Sequence, residues 1–155
     1  MSQRPLLHVM IVTAQRTVFE GESEMVNAPG SEGQLGILPR HAPLLTTLGL
    51  GEMRVRQNGV DEPFYVGGGF LEVNSNVVTV LADDAERAEY IDEARAEDAR
   101  RRAQTLLDER RADIDEATVK AELERAVARL RVAEMYRRRG GRARPRQQRE
   151  QELGE

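Results

Sequence analysis

The chain has no cysteine and no tryptophan, a single lysine (Lys120), two histidines, and no apolar run near the ~20 residues a membrane-crossing helix needs. Without cysteine there are no disulfides, thiolate metal sites or Cys nucleophiles. His8 and His41 alone cannot build a His-rich metal centre. The aromatic residues are Phe19, Phe64, Tyr65, Phe70, Tyr90 and Tyr136, so 155 residues can bury only a modest core. No Gly-x-Ser-x-Gly and no paired-His metal motif occurs, which argues against a stand-alone enzyme. The N-terminus shows no signal-peptide h-region, so a cytoplasmic chain is expected, with membrane association only through a partner.

What is present divides in two. Residues 1–85 hold five arginines against ten acids, net −5, while residues 86–155 hold 18 Lys plus Arg against 17 acids, net +1. Between residues 66 and 96 the apolar period changes from two to about three and a half, so a strand-rich domain gives way to a helical one. Downstream there is no Gly or Pro until Gly140, and Asp83, Asp84 and Glu86 precede the helical segment as a helix dipole favours.

In the first part, residues 6–12, 24–28, 53–56, 63–66, 70–73 and 77–81 read as strands. Asn58-Gly59 and Asn74-Ser75-Asn76 are hairpin signals. The recurrent Gly and Pro-Gly turns suit a small antiparallel β-sandwich or barrel. Gly67 to Gly69 lack the Lys-Ser/Thr of a phosphate loop and precede a strand, so they mark a bulge or a corner of the sheet.

The second part reads as an antiparallel two-helix hairpin. From about 92 to 111 the seam is Ala96, Ala99, Ala103 and Leu106. From about 115 to 138 it is Val119, Leu123, Ala126 or Val127, Leu130 and Ala133, with Asp115 and Thr118 at the start. A fold near Asp113 sets Arg102 level with Arg125 and Arg95 close to Arg129, which makes a candidate phosphate patch. The alternative is that these arginines pair with acids such as Asp98 or Glu122 on a solvated face. Residues 137–155 hold seven arginines against three glutamates, with almost nothing apolar, and read as a disordered basic tail. No aromatic residue lies among those arginines to stack a base, so a nucleic-acid partner is not expected.

VGGGFLEVNSNVVTVLADDAERAEYID, GSEGQLGILPRHAPLL (residues 30–45) and LERAVARLRVAEM (residues 123–135) resemble, in order and spacing, the epsilon subunit of F-type ATP synthases. The resemblance spans about residues 7–138. It implies a mainly β plus α chain: an N-terminal antiparallel β-sandwich over 1–85 and a C-terminal helical hairpin over 86–138, past whose usual family end the basic tail over 139–155 extends. It further implies a non-catalytic rotor subunit of the central stalk of a proton-translocating ATPase, peripheral on the cytoplasmic face of the cell membrane without inserting into it.

In that family the sandwich holds the gamma subunit and sits on the c-ring. The loop of residues 30–43 would then face the ring through Ser31, Glu32, Gln34 and His41. Ile91-Asp92-Glu-Ala-Arg95-Ala96 matches a motif with which some bacterial members bind ATP as a regulatory ligand, with no metal required. The resemblance puts Glu86, Ile91 and Asp92 near the nucleoside, and Arg95, Arg102, Arg125 and Arg129 near the phosphates. It also implies an arm that extends to inhibit ATP hydrolysis, presenting Arg125, Arg129, Arg131 and Arg137 to the beta and alpha subunits. Arg40 stands where the family usually has Gly, Gln34 where it usually has an acid, and Asp84 where a hydroxyl residue is usual.

Overall fold

The computed structural model describes residues 4–141. Two-residue turns set much of its strand register. Asn58 (φ 50°) and Gly59 (φ 77°) both take left-handed angles, the geometry of a type I′ hairpin. They join β5 (Leu44–Gln57) to β6 (Val60–Asn74). Ser75 (φ 50°) and Asn76 (φ 64°) repeat the device between β6 and β7 (Val77–Ala82). The remaining strands are β1 (Leu7–Val12), β2 (Thr17–Ser23), β3 (Met25–Gly30), β4 (Gly33–Ile37) and β8 (Ala85–Arg87).

The strands lie in the order β2-β1-β7-β6-β5-β3-β4, with β8 also paired to β6. Alternate residues from all eight strands, among them Leu7, Val9, Val26, Ile37, Val55, Phe64, Leu71 and Val80, form one buried cluster, so the sheet folds over on itself around a shared core. Its closure is visible at Ser23, a buried polar residue whose Oγ lies 2.8 Å from the carbonyl oxygens of both Met25 and Arg56.

Three features differ from the sequence expectation. The short strands expected at 53–56, 63–66 and 70–73 are parts of two strands of 14 and 15 residues. One pair, β1 with β7, is parallel, because β1 enters beside a strand far along the chain and no hairpin constrains their direction. Asp83, Asp84 and Glu86 do not lead into the helix. Asp83 and Asp84 form the link between β7 and β8, and Glu86 lies in β8 opposite Tyr65.

That link explains the glycine run. β6 pairs with β8 through Phe64 to Val66 and with β7 from Gly69 onward, so it exchanges partners at the glycines. There the Gly67 amide donates to the Asp84 carbonyl at 2.7 Å and the Asp83 amide to the Gly68 carbonyl at 3.1 Å. Gly68 (φ 87°) and Gly69 (φ 116°) need angles that side chains resist. The corner expected from sequence is therefore present.

The described residues divide into two compact units, with the break between Arg87 and Ala88. The second unit opens with a 3-10 turn (Ala88–Tyr90), followed by α1 (Glu93–Glu109) and α2 (Glu116–Arg138). Asp92 caps α1, accepting from the Arg95 amide, and Asp115 caps α2, accepting from the Thr118 amide. Ala96 and Ala103 of α1 and Val119, Ala126 and Ala133 of α2 are buried at the expected seam positions. Val127 is exposed, so Ala126 fills that layer, and Val132 is also buried. Arg137 and Arg138 belong to α2; beyond residue 141 the expected basic tail lies outside the described residues.

Candidate functional site

The I-D-x-x-R-A segment lies where the 3-10 turn becomes α1. Ile91 is buried, Asp92 serves as the N-cap, and Arg95 begins an exposed stripe that returns seven residues later at Arg102. Asp92, Ala94, Arg95, Asp98, Arg101 and Arg102 line a groove of about 500 Å3. Three arginines against two aspartates leave this groove positive. Helix formation thus gathers three of the expected ATP-site residues, Asp92, Arg95 and Arg102, and adds Asp98 and Arg101, which sequence reasoning did not assign to the site. Positions i+3 and i+6 from Arg95 were the available signal.

The other expected residues lie elsewhere. Arg125 and Arg129 are half-buried on α2 and do not line the groove, and Glu86 is in β8. Among the described residues Arg95, Arg102 and Arg125 have no ion pair, and neither Asp98 nor Glu122 has one, so pairing on a solvated face does not describe these three arginines. Their neighbours do pair. Arg100 and Arg101 share Glu97, and Arg138 takes Glu134 at 2.7 Å. Arg137 reaches across to Glu93 at 2.8 Å, joining the last turn of α2 to the first turn of α1. Arg131 is exposed.

The loop residues expected to face a ring fall in two places. Ser31 and Glu32 are the exposed two-residue tip between β3 and β4, and Gln34 follows at the start of β4. The Ser31 Oγ lies 2.7 Å from Thr47 Oγ1, which holds the tip against β5. His41 lies past the other end of β4, with Nδ1 donating to the Ala42 carbonyl at 2.6 Å. Beside it Arg40 takes φ 69°, the left-handed angle for which glycine is suited. Among the described residues no group of three or more His, Asp or Glu could hold a metal, and no helix is long and apolar enough to cross a membrane.

A folded sheet carrying strand-tip residues, followed by a capped helical hairpin with a positive groove, defines a two-domain class of known architecture. Residues 6–88 match the family described as ATP synthase, Delta/Epsilon chain, beta-sandwich domain, and residues 89–134 match its long alpha-helix domain. The ATP synthase epsilon chain of Alkalilimnicola ehrlichii is 51% identical over 137 residues, covering 88% of this chain and 98% of that one. That of Herpetosiphon aurantiacus is 50% identical over 133 residues, covering 86% and 98%. The chain therefore belongs to the epsilon-chain family of bacterial F-type ATP synthases. The fold is also that of a chain in the Euglena gracilis mitochondrial ATP synthase OSCP/F1/c-ring structure, with a TM-score of 0.66, 22% identity, and coverage of 86% of this chain and 83% of that one.

Proposed function

We propose that this chain is a non-catalytic rotor subunit that couples gamma to the c-ring, and that its helical hairpin restrains ATP hydrolysis and is stabilised in the folded state by ATP. The observation that carries the regulatory part is the α1 groove, where Asp92, Arg95 and Arg102 converge while both guanidiniums lack ion pairs among the described residues. Desolvated phosphate oxygens are suitable partners for such groups. A ligand shifts an equilibrium only through differential affinity, so the nucleotide must also recruit Arg125 and Arg129 of the second helix, which do not line the groove in this structure and are near it only in a closed hairpin.

The closed hairpin also occupies Arg137 through Glu93. Opening releases that arginine to act beside Arg131, which is exposed already, so the extended arm gains a cation to present to the beta and alpha subunits. The sandwich supplies docking, with Ser31, Glu32, Gln34 and His41 towards the ring. The subunit is then peripheral, on the cytoplasmic face of the cell membrane.

Titrating the full chain with ATP and GTP by calorimetry tests the ligand reading. ATP is expected to bind in preference to GTP, and Arg125→Ala to weaken it by more than about tenfold, the worth of a charge-assisted hydrogen bond. No heat with either nucleotide would remove ATP from the proposal and leave the docking role.

A further inference from the structure

Arg101 lines the α1 groove but is not free of ties. Its Nε lies 3.3 Å from Glu97 Oε1, and its side chain is 69% exposed. The same carboxylate is already held on both oxygens by Arg100, with Nε to Oε2 at 3.0 Å and Nη2 to Oε1 at 2.5 Å. Glu97 is kept below the usual carboxylate range, first by the hydrogen bond from Arg100, with Arg101 adding less. Arg101 can therefore leave without stranding Glu97.

Asp98 is the complement. It lies in the groove three residues after Arg95, three before Arg101 and four before Arg102, all positions that share one helix face, yet it pairs with none of them among the described residues. An anion entering this groove meets three guanidiniums and two carboxylates, of which Asp92 is engaged as the α1 N-cap and Asp98 is unpaired among the described residues. From Arg95 to Arg102 the helix rises about 10 Å, so a nucleotide anchored at the Asp92 end lays its outermost phosphate beside Arg101 and Arg102.

We infer that Arg101 reads the terminal phosphate of a nucleoside triphosphate in this groove, and that Asp98 is a built-in opposing charge that limits how tightly such a ligand is held. The inference rests on the ATP reading above and deepens it. Arg101 gives the groove its discrimination between triphosphate and diphosphate; Asp98 keeps the affinity low enough for the ligand to leave when it becomes scarce.

The test is calorimetric titration of the full chain with ATP, ADP and inorganic tripolyphosphate, for the wild type and for Arg101→Gln, Asp98→Asn and Arg131→Gln. Circular dichroism confirms that each variant is folded. Arg101→Gln is expected to weaken ATP by about tenfold and ADP by no more than about twofold. Asp98→Asn should tighten ATP by about threefold or more, and Arg131→Gln, which removes the same charge outside the groove, should leave both ligands within about twofold.

Equal losses for ATP and ADP in Arg101→Gln, or an equal loss in Arg131→Gln, would overturn the terminal-phosphate role. Unchanged affinity in Asp98→Asn would overturn the opposing-charge role. If the wild type binds ATP and Arg101→Gln matches it, this inference falls while the ATP reading stands. Binding of tripolyphosphate in an Arg101-dependent way without ATP binding supports the phosphate role and removes the nucleotide, whereas binding of no probe overturns both.

Discussion

The side-chain carbonyl of Asn76 accepts the backbone amide of Arg40 at 2.6 Å, so a residue in the β6–β7 turn holds the connection between β4 and β5. The main-chain carbonyl of Asn76 accepts the His8 amide at 2.8 Å, which brings β1 into the same arrangement. Arg40 keeps its left-handed angle, a conformation costing a non-glycine residue about 1 kcal/mol, partly through this bond. Arg40→Gly is expected to raise stability by about 0.5–1 kcal/mol, and Asn76→Ala to lower it by about 1–2 kcal/mol, in urea unfolding of the full chain.

Gly69 tolerates no side chain. A Cβ there would overlap the Leu81 carbonyl oxygen and approach Ala82 Cα to 2.8 Å, at a φ of 116°. Gly69→Ala should cost about 3 kcal/mol or more, because strain and backbone displacement add. Gly59→Ala, where nothing lies within 4 Å, should cost less; thermal unfolding of the two variants gives the comparison.

The hairpin seam is built from small residues, with Ala103 and Ala126 each 2% exposed. Ala126→Leu should separate the helices at a cost of about 1–3 kcal/mol while leaving the sheet's protection unchanged. Hydrogen exchange resolved by segment would show faster exchange in residues 93–138 alone.

Acid should weaken the second helix cap. The Asp115 carboxyl lies below its usual range chiefly through the side-chain hydrogen bond from Thr118 Oγ1 at 2.7 Å. A depressed carboxyl contributes stability fully above its unfolded value, and this is lost as pH falls through the lower folded value. Glu97, depressed by Arg100, shifts in the same direction. Helicity should therefore decline below about pH 4, and Asp115→Ser, which keeps a cap that does not titrate, should show a shallower decline by circular dichroism.

Removal of residues 88–155 should raise ATP hydrolysis by the complete synthase at low ATP while sparing synthesis and assembly. A disulfide engineered between α1 and α2 should likewise raise hydrolysis by holding the hairpin closed. Equal hydrolysis in the wild type and both variants across ATP concentrations would rule out the restraining arm.

Much of this was legible because local chemistry and tertiary structure agree. Asn58-Gly59 specified a turn, the alanine spacing specified a seam, and Asp115 with Thr118 specified a helix start. The long strands were hidden because Gly67 to Gly69 look like an interruption, yet β6 passes through them by changing partners from β8 to β7. The parallel pairing of β1 with β7 joins segments about 70 residues apart, which no local pattern encodes. At the site, the motif and the seven-residue step marked Asp92, Arg95 and Arg102. Arg101 and Asp98 escaped because charged helix positions ordinarily face solvent and pair with one another.

The two long strands have a mechanical consequence. β5 and β6 meet through 13 register pairs, from Leu44 opposite Val73 to Gln57 opposite Val60. A force along the ribbon loads those rungs in shear, all at once, whereas a force across its end would open them singly like a zipper. The stiff direction of the sheet is therefore the axis of this ribbon, and the glycine corner, where β6 exchanges β8 for β7, is where the ribbon bends most readily.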